Sequence, residues 1–143
     1  MARSDELPGF RKKRDILFGE KTTDEQMRET GRKFMEAEQL DDALEFFARC
    51  EADDLVREIA AHAREQGNTA LYLRARVVLG EPPEEDELRE LADEAMEAKR
   101  PSMARLAYVK AGDEEKAEEL EKQLLGGEEP QEKPEDLGAN EPV

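Results

Sequence analysis

Four arginines are the residues whose type and spacing could do chemistry in this sequence. Arg28 and Arg32 lie four residues apart, and Arg57 and Arg64 lie seven apart, so each pair shares one helix face. A guanidinium group matches a carboxylate with two parallel hydrogen bonds, which predicts binding of an acidic peptide or a C-terminus. The alternative is that the arginines pair with nearby glutamates on solvated helix faces, such as Glu29.

Residues suited to catalysis or metal binding are few. Cys50 and His62 are the one cysteine and the one histidine. A zinc site needs more ligands than these, so we expect Cys50 to be a buried inert thiol and His62 a surface or hydrogen-bonded histidine. Carboxylate pairs such as Asp53 and Asp54 stand at predicted helix starts, where the helix dipole favours negative charge. We therefore predict no enzyme activity, no metal and no cofactor.

Composition narrows the class of protein further. The 143 residues include 38 acidic and 22 basic ones, for a net charge of −16. This acidity argues against nucleic-acid binding, because contacts between basic residues and phosphates supply most of that affinity. The sequence has no apolar run long enough to span a membrane and no signal-peptide core. We expect a cytoplasmic protein whose partner is another protein and not a membrane, with lipid contact left open for residues 10–18 alone.

Helix signals follow one another along the chain, and no segment has the pattern of a strand. Thr23 and Gln26 form a potential capping box for the first predicted helix, and Asp53 begins the third. Pro101 restarts the chain before the sixth helix, which Ser102 is predicted to cap. Seven helices result, arranged as three hairpins and a C-terminal helix.

A set of small and bulky residues recurs with the same separations. The first set is Gly31, Phe34, Ala43, Phe47 and Cys50, and the second is Ala92, Ala95, Ala104, Tyr108 and Ala111. Small residues let two helices approach closely, and an aromatic ring fills the space beside them. This predicts an all-α fold, a short α–α solenoid built from stacked hairpins.

These residues resemble the tetratricopeptide (TPR) repeat family, which places small, bulky and aromatic residues at these separations. The middle hairpin matches only in part, since Ala70 and Val77 fall where expected but Arg74 replaces the aromatic residue. Gly67-Asn68 and Gly112-Asp113 turns are also similar to those of the solenoids of vesicle-coat and intraflagellar-transport subunits. The resemblance implies a groove lined by the first helix of each hairpin, where Arg28, Arg32, Arg57 and Arg64 would bind a peptide.

The chain divides by composition into three parts. Residues 1–19 form a basic N-terminal extension, 20–125 the TPR-like repeat domain, and 126–143 an acidic tail expected to be disordered. Within the extension, residues 10–18 have three possible roles. The segment could cap the first hairpin, serve as an arm that binds a partner, or contact anionic lipid.

Two functions remain open. The first is a non-enzymatic adaptor or scaffold that holds a peptide or helix of a partner protein in its groove. The second is a structural subunit of a homo- or hetero-oligomeric assembly that packs through its ends, where the last predicted helix exposes Leu120, Leu124 and Leu125. The sequence does not set the oligomeric state.

Overall fold

Residues 7–126, the part of the chain that the computed structural model describes, form eight α-helices and no strand. Their bounds are α1 (Phe10–Phe18), α2 (Asp24–Glu36), α3 (Leu40–Arg49), α4 (Asp53–Glu65), α5 (Thr69–Leu79), α6 (Glu85–Glu97), α7 (Pro101–Ala111) and α8 (Glu114–Gly126). The predicted all-α fold is confirmed. Helices α2 and α3 pack together, as do α6 and α7 and then α7 and α8, which is the consecutive pairing from which helical solenoids are built.

Helix α1 is the helix that the sequence did not predict, whereas the seven predicted helices correspond to α2–α8. It packs against α2 and buries Leu17, which is 2% exposed. This confirms, for Leu17, the alternative in which residues 10–18 dock on the first hairpin. Phe10 and Phe18 nevertheless stay exposed.

Local capping explains where the helices begin. The Thr23 hydroxyl accepts from the backbone N–H of Gln26, and the Gln26 side chain accepts from the N–H of Thr23, so the predicted capping box is confirmed. The prediction for Ser102 is wrong, because α7 begins one residue earlier, at Pro101. Proline lacks the N–H that would be unsatisfied in a first turn, and its fixed φ suits the start of a helix.

Close contact between α2 and α3 explains the glycine within α2. A Cβ atom placed on Gly31 would lie 2.5 Å from Cε1 of Phe47, well inside van der Waals contact. Phe47 is fully buried, and the rings of Phe34 and Phe46 stack with centroids 5.5 Å apart. The predicted close approach at Gly31 is therefore confirmed.

The described chain forms two compact units. The first contains residues 7–62 and 71–82, and its largest fully buried side chains include Phe46, Phe47 and Ile59. The second contains residues 63–70 and 83–126. Its core is richer in small side chains. The fully buried ones are Ala63, Ala92, Ala95, Ala104 and Ala107, and Thr69 is 2% exposed.

The same succession of helices occurs twice along the chain. Helices α2, α3 and α4 begin at Asp24, Leu40 and Asp53, and α6, α7 and α8 begin 61 residues later, at Glu85, Pro101 and Glu114. We call α2–α4 the first triplet and α6–α8 the second triplet. The offset predicts that equivalent positions in the two triplets have equivalent backbone roles.

The turns repeat with the same offset. Glu38 has φ 61° and its counterpart Lys99 has φ 62°, although neither is glycine. The next backbone N–H closes each turn on a carbonyl five residues earlier, from Gln39 to Phe34 and from Arg100 to Ala95, both at 2.9 Å. The two triplets therefore share turn geometry as well as the spacing of their helix starts.

Two predicted packing positions are wrong. Val77 was placed among the buried residues of the middle hairpin, but it is 70% exposed, because α5 buries Leu71, Tyr72 and Ala75 instead. Leu120 was expected to be exposed at the end of the last helix, but it is buried, since α8 packs on α7. Leu125 is exposed as predicted.

Within residues 7–126, no helix has both the length and the apolar character needed to cross a bilayer. The predicted tail lies outside the described residues except for Gly126, which ends α8.

Candidate functional site

Arg28 and Arg32 lie one turn apart on α2, on the flank of the face that buries Gly31. Arg28 donates a hydrogen bond to Oδ2 of Asp54, in the first turn of α4, and both side chains remain partly exposed. Partial desolvation raises the pKa of Asp54, but the hydrogen bond and charge of Arg28 outweigh it, so the net shift is downward. This contact holds Asp54 in its charged form.

Arg32 differs from Arg28 in having no carboxylate partner within residues 7–126. Its side chain is exposed, and α2 places it at the same flank of the helix, so the two guanidinium groups follow one another along a single stripe. Arg28 and Arg32 therefore present one engaged and one available guanidinium group.

Arg57, on α4, is held by a carboxylate that follows α5. Its Nη1 and Nη2 donate to Oε1 and Oε2 of Glu81 at 2.9 and 3.0 Å. The pair is bidentate, and it lowers the pKa of Glu81 through the hydrogen bonds and charge of the guanidinium group, while raising that of Arg57. Both oxygens of Glu81 already occupy the fork that an incoming carboxylate would use.

Arg64 belongs to the second unit and contacts three carboxylates of α6. Its Nε lies 2.8 Å from Oε1 of Glu94, and its terminal nitrogens lie 3.2 Å from Glu87 and from Glu90. The three glutamates are spaced at i, i+3 and i+7, so α6 presents them along one face. Arg64 is the most heavily paired of the four predicted arginines.

The four predicted arginines are therefore divided between the two compact units. Arg28, Arg32 and Arg57 belong to the first unit and Arg64 to the second. The partners of Arg28 and Arg57 are 26 and 24 residues away in sequence, and they are not the local glutamates expected from helix spacing. Of the four, Arg32 is the one without a carboxylate partner in the described part of the chain.

A second group of cations lies on α1, within the 10–18 segment for which partner binding was one of three alternatives. Lys13 binds Asp42 and Glu45 of α3, and these hydrogen bonds and charges raise its pKa against a smaller effect of desolvation. The guanidinium carbon of Arg14 lies 5.9 Å from the ring centroid of Phe10. The i, i+4, i+8 spacing of Phe10, Arg14 and Phe18 could have revealed this face, but the run of basic residues obscured the helical period.

The structure locates the one cysteine and the one histidine, Cys50 and His62, at the end of α3 and on α4. Cys50 caps the C-terminus of α3 and is half-buried, so the expectation of a fully buried thiol is only partly met. Burial raises the pKa of the Cys50 thiol, which keeps it protonated and a weak nucleophile at neutral pH. His62 is exposed on α4. Within residues 7–126 no three His, Cys, Asp or Glu side chains are grouped so that they could hold a metal ion.

The fold and these contacts define an all-α protein of paired helices in which Arg28, Arg57 and Arg64 contact carboxylates on other elements. No protein-family model, no curated protein and no solved structure matches the chain.

Proposed function

We propose that the protein is a non-enzymatic interaction module, a TPR-like adaptor of the cytoplasm that binds a peptide or helix of a partner protein. The observation that carries the proposal is the arginine stripe of α2, where the exposed Arg32 stands one turn from Arg28. An acidic peptide or a free C-terminus is the ligand that two guanidinium groups at this spacing fit best.

Binding requires that Arg28 exchange its partner. Its present contact is with Asp54, whose side chain is 61% exposed. Exposed ion pairs of this kind contribute little to stability, so a ligand carboxylate that also reaches Arg32 gains more than it displaces. The bidentate pair of Arg57 and Glu81 is the less exchangeable contact, and it would fix one border of the site.

A fluorescence-anisotropy titration tests the proposal. The probe is a labelled peptide of glutamate and leucine with a free C-terminal carboxylate, compared with the same peptide ending in an amide. We expect the protein to bind the carboxylate form more tightly, and R28E/R32E to abolish binding with unchanged helicity by circular dichroism.

The matched control is K110E/K122E, which makes the same change in net charge at two exposed lysines of α7 and α8. It should bind the probe nearly as well as the unaltered protein, since the charge change lies on other helices and exposed charges are largely screened at physiological salt. Absence of binding by the unaltered protein, or equal binding by R28E/R32E, would contradict the proposed site.

The second candidate is a structural subunit of a larger assembly. Leu125, 76% exposed near the end of α8, favours it, because an exposed leucine there suits burial against another chain. Light scattering separates the two functions. A stable oligomer that Leu125→Ser dissociates supports the structural role, and a monomer at all concentrations argues against self-assembly.

A further inference from the structure

An exposed aromatic and cationic surface runs along α1. Phe10, Arg14 and Phe18 are spaced at i, i+4 and i+8, so they follow one another along one side of α1, next to the buried Leu17. Phe10 is 77% exposed and Phe18 is 59% exposed. Two phenylalanines on one solvated face are a larger apolar exposure than isolated surface residues normally give.

Arginines stand beside both rings. Arg14 lies over Phe10, and the guanidinium carbon of Arg49, from α3, lies 4.5 Å from the ring centroid of Phe18. A cation over an exposed ring is worth about 0.5–1 kcal/mol, which is enough to orient the two groups but leaves the edge of the guanidinium free to donate. We call Phe10, Arg11, Arg14, Phe18 and Arg49 the α1 stripe.

The cations of the α1 stripe are not neutralised by the rest of the described chain. Arg11, Arg14 and Arg49 make no ion pair within residues 7–126, whereas Lys13, on the inner side of the same helix, contacts Asp42 and Glu45. This contrast occurs in a protein of net charge −16, where carboxylates are abundant. The inward cation fixes α1 to α3, and the outward ones are left for another molecule.

Charge and exposed apolar area together define the occupant. The rings require an apolar side chain to cover them, and the unpaired guanidinium groups require carboxylates beside it. A membrane supplies both in principle, but the net charge of −16 opposes approach to an anionic bilayer. A short protein segment, by contrast, has to complement only the α1 stripe and does not face the whole charged surface of the protein.

We propose that the α1 stripe is a docking site for an acidic segment of a partner protein that carries large apolar side chains between its carboxylates. The inference rests on the proposed interaction role, and it places a binding surface on α1 that is separate from the arginines of α2. Apolar side chains of the segment cover Phe10 and Phe18, while its carboxylates take the free edges of Arg14 and Arg49.

A peptide-display selection on the full chain tests this inference. The probe is a random peptide library displayed on phage, selected on the immobilised protein and sequenced. We expect the enriched peptides to have net negative charge and at least two large apolar residues. Synthetic copies should lose about tenfold or more in affinity towards R14E/R49E, since each variant position turns an attraction into a repulsion. Towards F10S/F18S they should lose a comparable amount.

Two matched control variants test whether the loss of peptide binding is specific to the α1 stripe. K110E/K122E repeats the charge change on other helices, and Leu125→Ser repeats the loss of an exposed apolar side chain. Both should bind the enriched peptides like the unaltered protein. Because the substituted stripe positions are exposed, unchanged circular dichroism spectra and melting midpoints should accompany the loss of binding.

The remaining outcomes separate this inference from the proposed function. Peptides that R28E/R32E loses and R14E/R49E retains would support the interaction role and overturn the α1 stripe. No enrichment would overturn both. Binding to vesicles with ~30% phosphatidylserine that F10S/F18S abolishes, or a dimer that F10S/F18S dissociates, would identify a lipid surface or a second copy as the occupant instead of a partner segment.

Discussion

The two triplets share the spacing of their helix starts and the geometry of their first turn, but their interiors differ. In the first triplet, Leu44 and Ala60 are both buried, at 2% and 6% exposure. The residues 61 positions later are Arg105 and Glu121, which form an ion pair of 3.1 Å on the second triplet. The aromatic pair of Phe34 and Phe46 likewise corresponds to Ala95 and Ala107, and no ring replaces it there.

This difference shows which features set the path of the helices. The spacing of the helix starts and the left-handed turns at Glu38 and Lys99 agree between the triplets, and so does the alanine at 43 and 104. Side-chain volume and polarity do not agree. Small residues at the helix contacts and the geometry of the turns therefore determine the path, and the larger side chains adjust the stability of each triplet.

The largest expected effect is common to both triplets. Ala43 and Ala104 are fully buried, so Ala43→Glu and Ala104→Glu each place an unpaired carboxylate in a core and should cost more than about 4 kcal/mol. Urea melts followed by circular dichroism measure this. Ala61→Glu, at an exposed position of α4, is the control and should change stability by at most ~0.5 kcal/mol. Unchanged urea midpoints for both core variants would contradict the assignment of Ala43 and Ala104 as equivalent core positions of the two triplets.

A smaller effect is expected at one pair of equivalent positions, where exchanging glycine and alanine should destabilise either triplet. Gly31→Ala adds a methyl group 2.5 Å from the ring of Phe47, and overpacking of this kind costs about 1–3 kcal/mol, which exceeds the gain in helix propensity of about 1 kcal/mol. Its counterpart Ala92 is fully buried, so Ala92→Gly should also destabilise, by about 1 kcal/mol or more.

Thermal or urea midpoints of the two variants test that comparison. If Gly31→Ala raises the midpoint, the ring of Phe47 moves aside, and the close approach of α2 and α3 does not require glycine. Ala61→Gly, in an exposed part of α4, is the control for propensity alone.

Converting the polar pair of the second triplet into its apolar counterpart should have a modest effect. In the described part of the chain, Nε of Arg105 is buried without a hydrogen-bond partner. Relief of one such group is worth about 1–3 kcal/mol, whereas the half-exposed pair with Glu121 contributes about 0–1 kcal/mol. R105L/E121A should therefore stabilise the protein by about 1 kcal/mol in urea melts. A loss of stability would show that the ion pair holds α7 to α8.

The smallest expected effect is a pH dependence confined to the first unit. Arg57 lowers the pKa of Glu81 below its ordinary value of 4.5, so the pair stabilises the folded state above that value. The contribution is lost as pH falls through the lowered pKa, because the folded protein must then take up the proton as well. Glu81→Gln should be slightly less stable than the unaltered protein at neutral pH, and the difference should vanish once the pH lies well below the lowered pKa of Glu81. A constant difference across that range would exclude the pair as its cause.

Capping residues and small residues made much of the fold predictable from sequence. Thr23 and Gln26 identify a helix start by their own hydrogen bonds, and Gly31 indicates a close helix contact whichever helix provides it. Such signals are local in sequence, so they can be recognised without knowledge of the tertiary structure. Val77 was misplaced because α5 is apolar on several sides, and the repeat spacing then did not identify the buried one.

The candidate sites were less predictable, because the partners of their charges are far away in sequence. Asp54 and Glu81 reach Arg28 and Arg57 from 26 and 24 residues away, and no local spacing distinguishes them from other carboxylates in an acidic chain. The α1 stripe was missed for another reason. Its run of basic residues has the composition of an extension, and only the buried Leu17 reveals a docked helix.

The short connections between partner helices set how the chain folds in time. Three residues separate α2 from α3, three separate α6 from α7, and two separate α7 from α8. Each pair therefore closes over a small loop, with a small entropic barrier, and forms mostly local contacts. Proteins dominated by local contacts fold within microseconds to milliseconds, so helix pairs can form in order as the chain leaves the ribosome, each before the next is complete.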